Sequence, residues 1–370
     1  MVLRDEAPDC RLKARSGVVD QVNLPHSVPI KILLMTDDKP GHYHLAEGVI
    51  AAVRRLRTTD VTRILVRRKW IVPTRFLRAR LKARTYLPPR MLRMAYRIKA
   101  EELPKVDLVI SAGGETLMPN ICASRYLGVP NIFCGSLLHR LSADDLHLVI
   151  SSYRCDASND HHLVVLKPSA IDPDALGRSA FSARYGPKRH PRVAGLLVGG
   201  NAGPLRYRRA EWKQLLNFVG IISETWGTRW LISTSRRTPE SVANLLVEIA
   251  KDQSAVARFI DFRTEGPGTL PEVFASAEVI VCTEDSSSMI SEAISARLPV
   301  VAARPSSHSF TDQEQEYRNF LIENDWYRVL PIANLTPENF AAALSEINPV
   351  QENPLDILAM KLKERLPQLF

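Results

Sequence analysis

The chain has 370 residues, which is enough for two domains, and its formal net charge is +9 at pH 7. Its five cysteines are scattered without the paired spacing of a metal site or a disulfide framework, which favours a reducing compartment. No apolar run approaches the roughly 18–20 residues that span a bilayer, and residues 1–28 lack the apolar core of a secretory signal. We therefore expect a cytoplasmic protein with no metal site.

The positive charge is concentrated in residues 67–99, which hold 12 Lys or Arg residues and no Asp or Glu. The rest of the chain is slightly acidic, with 37 basic and 40 acidic residues. The same segment contains large apolar side chains, including Trp70, Phe76 and Tyr86. This mixture is typical of docking on an anionic membrane, where each Lys or Arg contributes about 1 kcal/mol. A solvated helix face is the main alternative, and a nucleic-acid partner is less expected.

After an N-terminal extension over residues 1–28, residues 29–170 alternate short apolar runs with segments of helical spacing. Strands are predicted at 30–35, 61–66, 106–111, 129–133, 146–150 and 163–166, with helices at about 45–53 and 119–127. Alternating strands and helices indicate a parallel sheet with right-handed crossovers. This half is therefore predicted to be one α/β domain.

Residues 171–192 are rich in proline and charge, which predicts a linker. The Asp172-Pro173-Asp174 run within it has the form of a metal-binding pattern, but it does not follow a strand, so a turn is predicted. Residues 193–345 then repeat the α/β pattern, which indicates a second domain. Residues 346–370 are expected to form a helix, with the N-terminal domain as one surface on which it can pack.

In open α/β sheets, ligands bind at the carboxyl ends of the strands, and three loops of the second half lie there. Glycines allow close backbone approach, guanidinium groups can bind phosphate bidentately, and a serine-rich helix start near Ser288 offers N–H donors. Glu292, one turn further, can reach a ribose hydroxyl pair. The predicted nucleotide contacts are Gly200, Asn201, Ser235, Arg236, Arg237, Asp285, Ser286, Ser287, Ser288, Met289 and Glu292. A plain helix cap and a surface salt bridge are the structural alternatives.

Three segments together resemble the mitochondrial-fission ELM-type family: Asp38–His42, Thr234–Pro239 and Asp285–Ala293. The bacterial members of that family are regarded as glycosyltransferases of the GT-B fold. The resemblance therefore implies two Rossmann-like parallel-sheet domains that face each other across a cleft. It also implies a nucleotide-sugar as donor substrate and no other cofactor. Ser287 stands where the family usually has valine, and residues 265–269 replace its Asn-Pro-Tyr segment.

The first half is also similar in layout to the lipid-II N-acetylglucosaminyltransferase, whose two glycine-rich loops correspond to Gly41-His42 and Gly113-Gly114-Glu115. This similarity implies transfer of a sugar to an acceptor hydroxyl. His42 is the predicted base, because imidazole titrates near pH 7. Asp38 and Glu115 are further catalytic candidates, and His44 and Asp37 compete for the same role.

The sequence thus favours a glycosyltransferase that acts on a lipid-linked or envelope-glycan acceptor. Residues 67–99 would dock it on the inner face of the cytoplasmic membrane. A nucleotide-sugar 2-epimerase is one alternative, since it shares a similar two-domain fold and needs no acceptor. A non-catalytic membrane-associated adaptor is another, suggested by plant relatives. The sequence does not predict the oligomeric state.

Overall fold

The computed structural model describes residues 28–37, 39–83, 86–136, 145–153, 161–177, 185 and 188–370. Asp38, one of the predicted catalytic residues, lies outside this part of the chain. The described residues form two six-stranded sheets in which all neighbouring strands are parallel. The predicted α/β fold class, with two Rossmann-like domains across a cleft, is confirmed.

The N-terminal sheet has the strand order β2-β1-β3-β4-β5-β6. Its strands are β1 (Ile30–Thr36), β2 (Thr59–Leu65), β3 (Leu108–Ala112), β4 (Asn131–Cys134), β5 (Leu148–Ser151) and β6 (His162–Val164). Every residue of β3, β4 and β5 is buried, as expected for parallel strands with helices on both faces. The associated helices are α1 (Pro40–Leu56), α2 (Thr74–Lys82), α3 (Pro88–Met91) and α4 (Leu117–Leu127).

The C-terminal sheet has the order β12-β11-β10-β7-β8-β9, the doubly wound arrangement of dinucleotide-binding domains. Its strands are β7 (Val193–Val198), β8 (Arg229–Thr234), β9 (Val256–Ile260), β10 (Val279–Thr283), β11 (Val300–Arg304) and β12 (Tyr327–Pro331). Its helices are α5 (Arg209–Trp226), α6 (Glu240–Ile249), α7 (Phe262–Glu265), α8 (Leu270–Ser276), α9 (Ser287–Ser295), α10 (Asp312–Glu323) and α11 (Pro337–Ser345).

The last helix, α12 (Pro354–Arg365), belongs to the core of the N-terminal half although it follows the C-terminal sheet. Leu355, Leu358 and Leu362 are buried there with residues of α1, including Val49 and Val53. The chain therefore passes between the halves twice, once after β6 and once before α12. None of the described helices is both long and apolar enough to cross a membrane.

The basic segment, residues 67–99, is divided by the fold into a buried and an exposed part. Its apolar residues Leu77, Leu81, Met91, Leu92 and Tyr96 lie in the core of the N-terminal half. Four others are exposed: Trp70 (90%), Ile71 (63%), Leu87 (57%) and Met94 (44%). These four, together with the half-buried Phe76 and Tyr86, remain available to an external surface.

Candidate functional site

Both sheets contain a switch point at which the strand order reverses, between β1 and β3 in the first and between β7 and β10 in the second. At a switch point the loops that follow the two strands diverge and leave a crevice at the carboxyl ends of the strands. The loops predicted to bind ligands follow these four strands, except the loop with Ser235, Arg236 and Arg237, which follows the neighbouring strand β8.

At the N-terminal switch point, the first turn of α1 places His42 against the loop that follows β3. A Cβ atom at Gly113 would overlap the imidazole of His42, and Gly113 has a φ of +88°, which disfavours any side chain. Gly113 thus allows the imidazole to lie directly on the backbone of the second loop.

His42 forms a dyad with Asp37, the residue after β1. The His42 Nδ1 atom lies 2.8 Å from Asp37 Oδ2, with the aspartate side chain 8% exposed and the histidine 33% exposed. An Nδ1–H that donates to the carboxylate leaves the lone pair on Nε2, which has no partner among the described residues. Asp37, which the sequence suggested as a competing base, contacts the imidazole through its carboxylate, and its own catalytic role stays a prediction. His44 is exposed on the same helix.

Glu115 is held by an arginine from the basic segment. Its Oε2 atom accepts from Arg68 Nε at 2.8 Å and its Oε1 atom from Nη2 at 3.3 Å. Arg68 also donates to the backbone oxygen of Val72. Glu115 therefore connects the loop after β3 to the basic segment, and its catalytic role stays a prediction.

At the C-terminal switch point, Asp285 brings the three predicted anion loops together. Its Oδ2 atom accepts from Gly200 N at 3.1 Å and from Arg237 Nη2 at 2.7 Å. A Cβ atom at Gly199 would overlap the Asp285 carboxylate, so this close approach requires glycine. The side chain of Asp285 is fully buried, and burial raises the pKa of its carboxyl group. Arg237 thus already has a counter-ion inside the protein.

The loop after β8 is a turn fixed by its own hydroxyl groups. Ser235 N donates to Thr238 Oγ1 at 2.8 Å, and Arg237 N donates to Ser235 Oγ at 3.2 Å. Arg236 is exposed on this turn. In the loop after β7, Asn201 Oδ1 accepts from Tyr207 N at 2.8 Å, so this predicted contact also stabilises its own loop.

The serine-rich loop begins α9, as predicted within one residue. Ser286 caps the helix, and its Oγ atom accepts from Met289 N at 3.5 Å, while the Met289 side chain lies in the core. Ser287 and Ser288 occupy the first two helical positions, where backbone N–H groups lack intrahelical acceptors. These two serines also line the cleft between the halves.

Glu292 lies one turn after Ser288 on the same helix face. Its carboxyl group is partly buried and hydrogen-bonds to no other described residue, and burial raises its pKa to about 7. An unpaired carboxyl group with a raised pKa is characteristic of a functional position.

The cleft itself is a cavity of about 390 Å³ between the halves. One wall contains His42, Gly113 and Gly114, and the other contains Ser287, Ser288 and Glu314. Tyr153 and Lys167 also line it. The sequence interpretation missed Lys167 and Glu314. The signal for Lys167 was its position directly after the apolar run 163–166, where a parallel strand reaches the ligand-binding edge.

Within the described residues, no group of three or more His, Cys, Asp or Glu side chains is placed to hold a metal ion. Asp172 and Asp174 lie at the start of a turn. Both accept hydrogen bonds from Asn353 Nδ2, at 2.9 and 2.7 Å, and Asp174 pairs with Arg297 at 2.7 Å. These aspartates therefore connect the halves away from the cleft.

Solved structures of similar fold include a Listeria monocytogenes protein assigned as a UDP-N-acetylglucosamine 2-epimerase, at 12% identity and a TM-score of 0.56, with 93% of this chain and 97% of that chain covered. The UDP-GlcNAc 2-epimerase of Methanocaldococcus jannaschii matches at 12% identity and a TM-score of 0.50, with 92% and 100% covered. MurG of Acinetobacter baumannii matches at 14% identity and a TM-score of 0.47, with 90% and 95% covered. Identities this low show similarity of fold alone.

No curated protein is similar enough in sequence to match this chain. The family model for mitochondrial fission ELM1, in contrast, matches residues 40–356, which include the C-terminal switch point and the residues that line the cleft. The two domains have the GT-B arrangement that the sequence motifs implied. The chain belongs to the mitochondrial fission ELM1 family.

Proposed function

We propose that the protein is a glycosyltransferase that moves a sugar from a nucleotide-sugar donor to an acceptor hydroxyl in the cleft. One observation carries the proposal. The imidazole of the His42–Asp37 dyad and the start of α9 lie on opposite walls of the same cavity, which supports a proton acceptor on one wall and a diphosphate site on the other. A donor between them would present its diphosphate to one wall and its sugar to the other.

On the C-terminal wall, the donor would bind through backbone donors and one carboxylate. The N–H groups of Ser287 and Ser288 and the positive end of the α9 dipole suit a diphosphate. Glu292, one turn further, would accept hydrogen bonds from the ribose hydroxyls in its ionised form. Together these groups would fix the anomeric carbon toward the N-terminal wall.

On the N-terminal wall, His42 would act as the general base. The acceptor oxygen forms a bond to the anomeric carbon and its proton passes to His42 Nε2. The bond from the anomeric carbon to the diphosphate oxygen breaks, and the electron pair stays on the diphosphate. Asp37 would stabilise the imidazolium that forms, since its carboxylate already accepts from Nδ1 at 2.8 Å.

The acceptor would be lipid-linked or an envelope glycan, because the exposed part of the basic segment suits a membrane. Arg80 and Arg90 line an open groove of about 550 Å³ together with Phe76, Tyr86 and Met94. Trp70 and Ile71 are exposed nearby in sequence. Cationic and apolar side chains together favour binding to an anionic bilayer at its cytoplasmic face.

Transfer is tested with labelled nucleotide sugars and isolated bacterial membranes. We expect label to enter the lipid fraction with the wild-type protein and not with His42→Ala. A 2-epimerase would instead convert the nucleotide sugar in the absence of membranes. An adaptor would bind membranes but give neither product, and no stabilisation by any nucleoside diphosphate in a thermal-shift panel.

Membrane docking is tested by vesicle co-sedimentation. Charge reversal at the exposed Arg75, Arg90 and Arg93 to Glu should abolish binding to anionic vesicles, and salt should weaken wild-type binding because screening shortens to about 8 Å at physiological ionic strength. A control with the same change in charge on the other half reverses Arg209 and Lys213 on α5 and Arg229. Equal binding to neutral and anionic vesicles, or to neither, would contradict electrostatic docking.

A further inference from the structure

Lys167 is a buried lysine on the cleft that neither the sequence motifs nor the proposed reaction uses. Its side chain is 11% exposed, and Nζ donates to Ser287 Oγ at 2.8 Å and to Glu314 Oε1 at 3.1 Å. The ammonium group also lies 4.3 Å from the ring centroid of Tyr317 and 5.5 Å from that of Tyr153. It therefore adjoins the start of α9 directly.

The backbone around Lys167 is fixed by both halves. Its N–H donates to the hydroxyl of Tyr317 on α10 at 3.4 Å. On the other side, a Cβ atom at Gly48 of α1 would overlap the backbone of Pro168 and Ser169, so α1 approaches this segment as closely as glycine permits. The ammonium group is thus held in place before any ligand binds, which lowers the cost of ordering it.

The charges around Lys167 do not cancel. Glu314 also pairs with Arg318 at 2.7 Å. Burial alone would raise the pKa of the Glu314 carboxyl group, but Lys167 and Arg318 lower that pKa to about 2. Arg318 further contacts the buried Glu284, which pairs with Arg304 at 2.5 Å. With all five side chains ionised, three cations share two carboxylates, which leaves one positive charge in this cluster. Burial lowers the pKa of Lys167, and Glu314 opposes that shift.

Lys167 lines the cavity and retains hydrogen-bonding capacity there. An ammonium group has three N–H donors, and two of them have acceptors among the described residues. Lys167, Ser287 and Ser288 line the same cavity. A buried cation without a full set of partners is costly, and an anion in the cavity would relieve that cost.

Building on the proposed function, we propose that Lys167 is a donor-binding residue whose ammonium group binds the diphosphate of the nucleotide sugar beside the start of α9. Glu314 is the positioning residue that holds the ammonium group there. Lys167 would add a cation from the N-terminal half to a phosphate site whose other groups come from the C-terminal half. Donor binding would thereby connect the two walls of the cleft.

The test measures binding by calorimetry, with inorganic pyrophosphate and the best of UDP, GDP, CDP and ADP as probes and the matching nucleoside as reference. Lys167→Met should weaken binding of pyrophosphate and nucleoside diphosphate about 10- to 100-fold and leave the nucleoside unaffected. Lys167→Arg should retain most of the affinity. Lys213→Met, an exposed lysine on α5, is the control and should change nothing.

A second variant separates anion binding from a structural ion pair. Glu314→Gln keeps an acceptor oxygen that can hold the ammonium group but removes the negative charge that competes with the ligand. It should therefore leave pyrophosphate binding unchanged or tighten it, whereas a purely structural ion pair would lose binding in Lys167→Met and Glu314→Gln alike. Equal affinity of wild type and Lys167→Met for the nucleoside diphosphate would overturn the role of Lys167 and leave the proposed function standing. A wild-type protein that binds neither pyrophosphate nor any nucleoside diphosphate would overturn both.

Discussion

The switch points of the two sheets have the same construction but different side chains. Each brings an acidic and a basic residue together over a glycine from the neighbouring loop. In the N-terminal half the pair is His42 and Asp37, with the imidazole one-third exposed. In the C-terminal half it is Arg237 and Asp285, with the carboxylate fully buried.

The difference between the two pairs indicates a division of roles. Imidazole can accept a proton near pH 7, whereas a guanidinium group remains charged at any relevant pH. The N-terminal pair is therefore suited to proton transfer, and the C-terminal pair is suited to holding loops around an anion. Sheet topology sets the position of a ligand site, and the side chains at each switch point determine whether that site suits proton transfer or anion binding.

The largest effect is expected for His42→Ala. Loss of a general base lowers kcat about 10²- to 10⁴-fold, and the Kd for the nucleoside diphosphate should not change because that group lies on the opposite wall. His44→Ala, on the same helix, is the control and should keep full activity. Steady-state kinetics and calorimetry check both, and near-wild-type turnover of His42→Ala would assign the base role elsewhere.

Two glycine variants, one at each switch point, separate the roles of the two sites. Gly113→Ala would displace the imidazole of His42, and Gly199→Ala would displace the carboxylate of Asp285. Misplacement of a reacting group by about 1 Å can cost about 10²-fold in rate, so Gly113→Ala should lower kcat and leave donor affinity intact. Gly199→Ala should weaken donor affinity and leave kcat intact. The same kinetic pattern for both variants would show that the switch points do not have separate roles.

Arg237→Ala should affect stability more than chemistry. It leaves the buried carboxyl group of Asp285 without its counter-ion, and we expect a loss of about 1–3 kcal/mol because Arg237 itself is exposed. Burial raises the pKa of Asp285 even in the wild type. The loss should therefore be largest at pH values where the carboxyl group is ionised and shrink as it gains a proton at lower pH. Thermal unfolding across pH measures this, and a loss independent of pH would contradict it.

The smallest expected effect concerns Glu292. Its pKa is raised to about 7 by burial, so the carboxylate that would accept from the ribose is mostly protonated below neutral pH. Donor affinity should rise roughly tenfold between about pH 6 and pH 8. Glu292→Gln should bind more weakly at high pH and show a flat profile. Calorimetry checks this, and an unchanged profile in the variant would remove Glu292 from the site.

Local patterns in the sequence predicted the elements that position the site. Apolar runs followed by glycine or serine predicted the loops after the strands, and the start of α9 was predicted near Ser288 and observed at Ser287. Strand ends and helix starts depend on residues close together in the chain, so they can be predicted from a single sequence. The α10 helix and the β12 strand were not anticipated.

Pairings between distant residues could not be predicted in this way. Arg237 was predicted to bind phosphate, and the structure pairs it with Asp285, 48 residues away. Lys167 contacts Ser287, 120 residues away. Its place directly after the apolar run 163–166 was a local signal for the ligand-binding edge, but its contact with Ser287 became evident only from the fold.

The division of the basic segment into buried and exposed residues also depends on distant contacts. Its apolar residues suggested a membrane surface as a group, but Leu77, Leu92 and others pack in the core. A repeat of apolar residues at helical spacing does not distinguish a face that meets the sheet from one that meets an external surface. Trp70 and Ile71 belong to the exposed set only because of how the chain turns before α2.

The most direct test of a donor site between the two walls of the cleft is a crystal structure with a bound nucleoside diphosphate. We expect diphosphate oxygens within about 2.7–3.2 Å of the N–H groups of Ser287 and Ser288, with the terminal phosphate directed toward His42 across the cleft. A diphosphate bound instead at the groove of Arg80 and Arg90, or at the N-terminal switch point against the His42–Asp37 dyad, would contradict it.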